Sequence, residues 1–280
     1  MKVIVVGANG QVGTDVVSAF KTAGHEVVAL THEHIEISDQ VNVDHILDQP
    51  FDVLVNSTCL HTRPCDTDPS KAYRVNAIGA RNLAEAARKH NAKIIQISTD
   101  QVFSGKKNTP YTEFDLPCPV TVYGSTKLAG EYFVINSGAD HQILRTTALF
   151  GHSPTRGKTG GMNFVETMLQ LAREKEVVTV VGDEFTSPTS TVSLAKQIAK
   201  LSTSEEQGIF HAVGKGGCSW YEFAKEIFNQ TSTIVNVEPS ASGGGFSRPK
   251  YLILENFRLR VRGLDVFQSW QDELRSYLGK

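Results

Sequence analysis

The opening stretch of the chain constrains its fold more than any other. Lys2–Val6 is a short apolar, β-branched run, and Gly7-Ala8-Asn9-Gly10-Gln11-Val12-Gly13 follows without a break. An amphipathic helical pattern then runs to about Thr22, with Val16, Val17 and Phe20 on one side. Strand, glycine turn and helix in that order form the setting in which a dinucleotide is bound. Gly7, Gly10 and Gly13 permit a tight turn and close approach of backbone to a pyrophosphate, which the helix N-terminus would face. The spacing is GxxGxxG and not GxGxxG, and a glycine-rich βα turn that holds no nucleotide would share it.

The same alternation continues downstream. Glu26–Leu30, Phe51–Asn56, Lys93–Ile97 and Gln142–Arg145 read as strands. Ser70–His90 carries apolar residues at helical spacing: Ala72, Val75, Ile78, Leu83, Ala86 and Ala87. Strands separated by helices of this length predict βαβ units and a parallel sheet, with ligands at the carboxyl ends of the strands. Asn56-Ser57-Thr58 and Ser98-Thr99-Asp100 fall at two such ends, where a polar cluster can also be only a turn or a cap. The second strand ends in Thr31-His32-Glu33-His34. With no acidic residue directly at that tip, NADPH is favoured as cofactor and NADH remains open. The two histidines read as solvated loop residues before phosphate ligands.

Tyr123 and Lys127 lie four residues apart in VYGSTKLAGE, so on a helix they share one face. A phenol titrates near 10, too high for efficient proton transfer at neutrality, and a neighbouring ammonium is expected to pull it down. The same spacing also occurs on ordinary amphipathic surfaces.

The 280 residues can bury a large core, as one big domain or as a domain with a lobe built into it. A net charge of −2 gives no basic field for a nucleic-acid backbone. The longest apolar start, Val3 to Val6, is too short for a signal peptide or a membrane span, so no membrane partner and a cytoplasmic location are expected. Cys59, Cys65, Cys118 and Cys218 lack CxxC spacing and suggest neither zinc nor a disulfide framework. No metal is expected. In the second half, Asn163–Arg173 reads as a helix, Val177–Val181 as a strand and Thr191–Lys200 as a helix opened by Ser/Thr caps. Ser219–Phe228 reads as a helix with Ser219 as N-cap and Glu222 in the capping-box position. Trp220, Tyr221 and Phe223 are expected to pack this half before stacking a base.

At this point the chain resembles the extended short-chain dehydrogenase/reductases, and more closely the dTDP-4-dehydrorhamnose reductase family. The matching stretches are GANGQVG (7–13), VNAIGARNLAEAA (75–87), ISTDQVFSG (97–105), VYGSTKLAGE (122–131) and LRTTALFG (144–151). They continue through NFVETMLQLA (163–172), SPTSTVSLA (187–195), GIFHAVG (208–214), SWYEFA (219–224) and RPKYLILENFRL (248–259). The resemblance implies an α/β fold: a Rossmann-type doubly wound parallel sheet over residues 1–150 and a smaller C-terminal substrate-binding lobe over 151–280. Part of 175–203 would return to the first domain. It also implies NADPH-dependent reduction of the C4 carbonyl of a nucleotide-linked 4-keto-6-deoxy sugar, first of all dTDP-4-dehydrorhamnose to dTDP-L-rhamnose. Tyr123 would protonate the developing alkoxide, Lys127 would lower the Tyr123 pKa and bind ribose hydroxyls, and Thr99 would hydrogen-bond the C4 oxygen. Gln11 and Val12 would line the pyrophosphate, Glu36 and Ile37 the adenine, and Thr58, Cys59 and Leu60 the rest of the cofactor. A homodimer is implied by the family alone. Some relatives are associated with Mg²⁺ where Asp15 stands, but one carboxylate makes no site.

The departures fall on residues that would read the substrate. Gln101 stands where the family often has Tyr, and where related dehydratases have a Glu that serves as base. Ala148 stands where the family often has Trp, and the loop from Thr58 to Pro64 is one residue shorter. His61 and Arg63 in that loop are candidates for phosphate or hydroxyl contact as much as for plain surface roles. Arg248 is a candidate ligand for the substrate diphosphate, with a structural salt bridge as the alternative. A reductase making another nucleotide deoxysugar therefore stands as an alternative. So do an epimerase and a non-catalytic NADP-binding regulatory subunit like that of methionine adenosyltransferase.

Overall fold

The computed structural model describes residues 1–157, 160–243 and 249–279. Six strands form one parallel sheet, in the order Gly208–His211, His141–Thr146, Lys93–Thr99, Val53–Asn56, Lys2–Val6, Glu26–Leu30. The inner strands are rich in Val, Ile and Leu because helices cover both faces, and the polar residues they bury, such as Gln96, Gln142 and Arg145, are hydrogen-bonded. Val3, Val5, Leu54, Val55, Ile94 and Ile95 are all fully buried. This is the doubly wound sheet that the strand–helix alternation predicts. Its order reverses between Lys2–Val6 and Val53–Asn56, and a ligand crevice opens where the two flanking connections part.

One face packs Val43, Leu83, Ala87 and Val134 from helices Gln40–Ile46, Gly79–Lys89 and Val122–Asn136. The other packs Val16 and Phe20 of Gln11–Thr22 with Leu194, Ile198 and Leu201 of Thr191–Ser202. The chain therefore comes back to the first core after residue 190, and Gly208–His211 supplies the sheet's outermost strand. Before and after these returns a second core forms from Phe164–Glu174, Trp220–Thr231 and Trp270–Tyr277. Val177–Val181 is a strand as expected, and it pairs in parallel with Asn236–Ser240 inside this second core. Phe223 is fully buried there, stacked on Phe164 with ring centroids 5.3 Å apart and edge-on to Trp270 at 5.6 Å. Ser219 and Glu222 close the expected capping box, and Asn163 and Glu166 close another.

Two local expectations are corrected. The expected helix Ser70–His90 is broken into Pro69–Tyr73, a π-helical turn Arg74–Ile78, and Gly79–Lys89. The widened turn releases Asn76 to bond the Leu60 backbone on both sides, accepting from its N–H at 2.8 Å and donating to its carbonyl at 3.1 Å. Helix Thr191–Ser202 has no side-chain cap at Ser190; the Ser190 N–H donates instead to Glu273 Oε2 at 3.0 Å. Among the described residues no helix is long and apolar enough to cross a membrane, and no cluster of His, Cys, Asp and Glu is placed to hold a metal. The four cysteines are free thiols.

Candidate active site

A cleft of about 690 Å³ opens at the carboxyl ends of the central strands and continues to the second core. Its floor starts at the glycine turn. Gly7 has φ +81°, and a Cβ there would lie 2.9 Å from Ser57 Oγ and 3.1 Å from Thr58 Cγ2. Only glycine lets the turn lie this close to the end of the neighbouring strand. Gly10 is the N-cap of Gln11–Thr22 and supplies no side-chain cap, so the first N–H groups of the helix are left to the cleft. That geometry fits a pyrophosphate. Gly13 does not line the cleft; a Cβ there would fall 2.2 Å from the Gly7 carbonyl oxygen, so it seats the helix on the turn.

Gly7, Gly10, Gln11, Val12, Glu36, Ile37, Thr58, Cys59, Thr99, Gln101, Tyr123, Lys127 and Ala148 all border this one cleft. Leu60 is not among the residues that border it; its backbone N–H and carbonyl are both bonded to Asn76. Arg248 lies outside the described residues. At the end of the cleft beside Glu26–Leu30 stand His32, Ile35, Glu36 and Ile37. Thr31 and His34 are tied to each other at 2.8 Å, and the Glu36 carboxylate accepts from the Ser38 N–H and hydroxyl at 3.0 and 2.7 Å.

Helix Val122–Asn136 carries Tyr123 into the cleft. Thr121 caps it by accepting the Gly124 N–H at 3.0 Å, and a Cβ on Gly124 would lie 2.1 Å from the Gln101 carbonyl oxygen. This close approach sets Tyr123 against the end of strand Lys93–Thr99, with Thr99, Cys59 and Asp100 as the neighbours that shift its phenol. Lys127 is buried and donates to the Ile97 carbonyl at 2.7 Å. Burial pulls the Lys127 pKa down, against the charges of Cys59, Glu131 and Cys65.

The expected direction for Tyr123 is corrected here. Burial first, then the negative charges of Cys59 and Asp100, raise the phenol well above its ordinary value, and hydrogen bonding to Thr99 only partly offsets them. Lys127 donates to the sheet carbonyl, and the largest influences on Tyr123 are burial and the charges of Cys59 and Asp100. The phenol is therefore held protonated, the form a proton donor needs.

Three features were missed or left without a role in the sequence. Thr99 Oγ1 donates to Asp100 Oδ1 at 2.9 Å, and Thr147 donates to Asp100 Oδ2 while touching Thr186 Oγ1 at 2.9 Å. Burial raises the Asp100 pKa to about 6, against these hydroxyls and the Gln101 backbone. Cys59 Sγ lies 3.6 Å from His61 Nδ1. Burial would push this thiol up, yet the charge and hydrogen bond of His61, then Lys127 and Tyr123, bring it to about 7. Arg156 reaches the rim and donates to the Asn9 carbonyl at 2.8 Å. The repeated threonines of LRTTALFG were a signal for Thr147; nothing local marks Arg156.

On the wall of the same cleft, Ala148 adopts φ +44°, a left-handed conformation unusual for a residue with a Cβ. Its carbonyl accepts from the Thr189 N–H at 3.3 Å. Phe185, Trp220 and Leu252 complete the side of the cleft that faces the second core. Gln101 is tied back by Thr121, whose hydroxyl donates to its Oε1 at 3.2 Å.

The family model described as RmlD substrate binding domain matches residues 1–280. The spore coat polysaccharide biosynthesis protein SpsK of Bacillus subtilis (strain 168) is 39% identical over 99% of this chain and 96% of its own length. A dTDP-4-keto-6-deoxy-D-glucose reductase of Streptomyces niveus is 33% identical over 97% of this chain and 94% of its own. Among solved structures, a dTDP-4-dehydrorhamnose reductase from Bacillus anthracis str. Ames, in complex with NADP, superposes with TM-score 0.92. It is 34% identical and covers 99% of this chain and 98% of its own. A whole-length family match, on a parallel sheet with the glycine turn and the Tyr123/Lys127 helix bordering one cleft, makes this chain a member of the RmlD (dTDP-4-dehydrorhamnose reductase) family of extended short-chain dehydrogenase/reductases.

Proposed function

We propose that this protein is an NADPH-dependent sugar-nucleotide 4-ketoreductase that converts dTDP-4-dehydrorhamnose to dTDP-L-rhamnose. The observation that carries the reading is the convergence of Tyr123, Thr99 and Lys127 in one cleft with the uncapped helix end at Gly10. The cofactor supplies a hydride when bound. The residues around it have separable tasks. Gly7 and Gly10 let backbone N–H groups face the pyrophosphate, while Glu36 and Ile37 flank the adenine end. Thr99 and Tyr123 donate hydrogen bonds to the C4 oxygen of the substrate, and that oxygen gains negative charge as it is reduced. Tyr123, kept protonated by burial, then gives up its Oη proton to that oxygen. Lys127, fixed by the Ile97 carbonyl, holds positive charge behind the phenolate that results. Gln101 has no carboxylate to remove a ring proton, which separates this site from dehydration chemistry.

A second reading keeps the reaction and changes the sugar. Ala148 leaves the wall small, and the Streptomyces niveus relative is named for a keto sugar of the glucose series. The experiment is to present NADPH with a panel of dTDP-4-keto-6-deoxy sugars, follow its oxidation and identify the product by NMR. Fastest oxidation with dTDP-4-dehydrorhamnose supports the first reading, and a faster reaction with a glucose-series sugar supports the second. NADPH binding without oxidation of any of them removes both and leaves a regulatory subunit.

A further inference from the structure

Thr99 has one hydroxyl proton and two acceptors that need it. A threonine donates a single hydrogen bond, and here it is given to Asp100 Oδ1 at 2.9 Å. The carboxylate's other oxygen is taken by Thr147, so neither oxygen turns away to leave Thr99 free. The keto oxygen of a substrate can only accept, and an ionised carboxylate is the stronger acceptor of the two. The arrangement as it stands thus denies the substrate the hydrogen bond that the proposed reaction asks of Thr99.

We propose that Asp100 is a positioning residue that governs the donor of Thr99, and that binding of a keto substrate is coupled to uptake of one proton by Asp100. The proton comes from solvent and forms an O–H bond at Oδ1. The new acid donates to Thr99 Oγ1, and the Thr99 hydroxyl turns to the C4 oxygen. Thr147 continues to donate to Oδ2, so no buried group loses its partner. This inference rests on the proposed reading of Thr99.

Three observations support it. Asp100 is 5% exposed, yet it borders the cleft, so protons can reach it before the substrate seals the site. Its carboxyl already stands at about 6 through burial, and excluding the remaining water disfavours the charged form further. The groups that shift it most after burial are hydroxyls and backbone, not a paired cation. The other titratable groups bordering the cleft are Tyr123 and Lys127 on the helix, Cys59 and His61 on the loop after Val53–Asn56, Glu184 before Phe185, His32 and Glu36 after Glu26–Leu30, and Arg156 at the rim. Arg145 on the adjacent strand is taken up by Glu131.

Proton uptake can be read without turnover by titrating the enzyme–NADP⁺ complex, which cannot reduce the sugar, with dTDP-4-dehydrorhamnose near pH 7. Calorimetry in buffers of different ionisation heat counts the protons, with dTDP alone as the background. The wild type should take up about one proton per site, less with dTDP-rhamnose, whose hydroxyl can donate to Thr99 as well as accept from it. Asp100→Asn presents an amide N–H to Thr99 and an oxygen to Thr147, the pattern of the protonated acid. It should take up none and keep turnover within about tenfold, with a pH profile flattened near 6. Should that variant fold poorly, Thr99→Ser should keep the uptake and Thr99→Val lose it. Equal uptake in wild type and Asp100→Asn overturns the role of Asp100. So does an Asp100→Asn enzyme that melts normally and binds NADPH but is dead at every pH. A wild type that takes up the proton but reduces no keto sugar overturns the proposed reaction instead, and with it the role of Asp100 in it.

Discussion

Arg145 meets Glu131 in a two-point ion pair, Nε to Oε1 at 3.0 Å and Nη2 to Oε2 at 2.6 Å, with both side chains almost wholly buried. Ser98, next to Thr99, donates to the same Glu131 Oε1 at 2.5 Å. One carboxylate thus locks the Tyr123 helix to the two strands that carry Thr99 and Thr147. Removing it leaves a buried guanidinium unpaired, which costs roughly 3–5 kcal/mol. Glu131→Ala should lose about that much in a denaturant titration, and a loss under about 1 kcal/mol would show that water replaces the carboxylate.

Tyr123→Phe removes only the phenolic proton from a site whose shape is set by Gly124 and Gln101. Turnover should fall by about 10²–10⁴-fold, while NADPH affinity, followed by its fluorescence, stays within a few-fold. Turnover equal to wild type would assign the proton donor elsewhere.

Ala148→Trp places a large ring on the wall of the cleft that also holds Tyr123. The ratio of kcat/KM for dTDP-4-dehydrorhamnose over the glucose-series keto sugar should change by about tenfold or more, and an unaltered ratio would place position 148 outside the sugar's reach.

Cys59 titrates near 7, and its thiolate is the reactive form. In a Cys118→Ser background, which removes the exposed thiol, alkylation by iodoacetamide should rise as pH increases through about 7 and level off above it. The sign follows from a lowered thiol: the anion appears earlier than in a free cysteine. His61→Gln should shift the rise upward, and NADPH should slow the reaction because Cys59 borders the cleft. A rise centred on the ordinary thiol range would contradict the Cys59–His61 contact.

The features legible in the sequence are those fixed by near neighbours in the chain. Apolar runs mark strands buried on both faces, and Gly7, Gly10 and Gly13 announce a turn that the close Gly13–Gly7 approach requires. The four-residue spacing of Tyr123 and Lys127 places both on the cleft. What stayed hidden depends on contacts between distant segments. Tyr123 is raised and not lowered because it is buried and because Cys59 and Asp100 arrive from two other strand ends. The Leu60 backbone is bonded by Asn76 from a π-turn, and no propensity announces that turn. Asn236–Ser240 escaped notice because it is a mostly exposed edge strand containing Pro239, with no apolar alternation to show it.

The central claim is transfer of hydride to C4 of a dTDP-linked keto sugar, and isotope position tests it most directly. The enzyme is given NADPH deuterated at the transferring position together with dTDP-4-dehydrorhamnose, and the product is examined by NMR. The account predicts dTDP-L-rhamnose carrying deuterium at C4 alone. Deuterium at any other carbon, or unlabelled product with NADPH unconsumed, would contradict it.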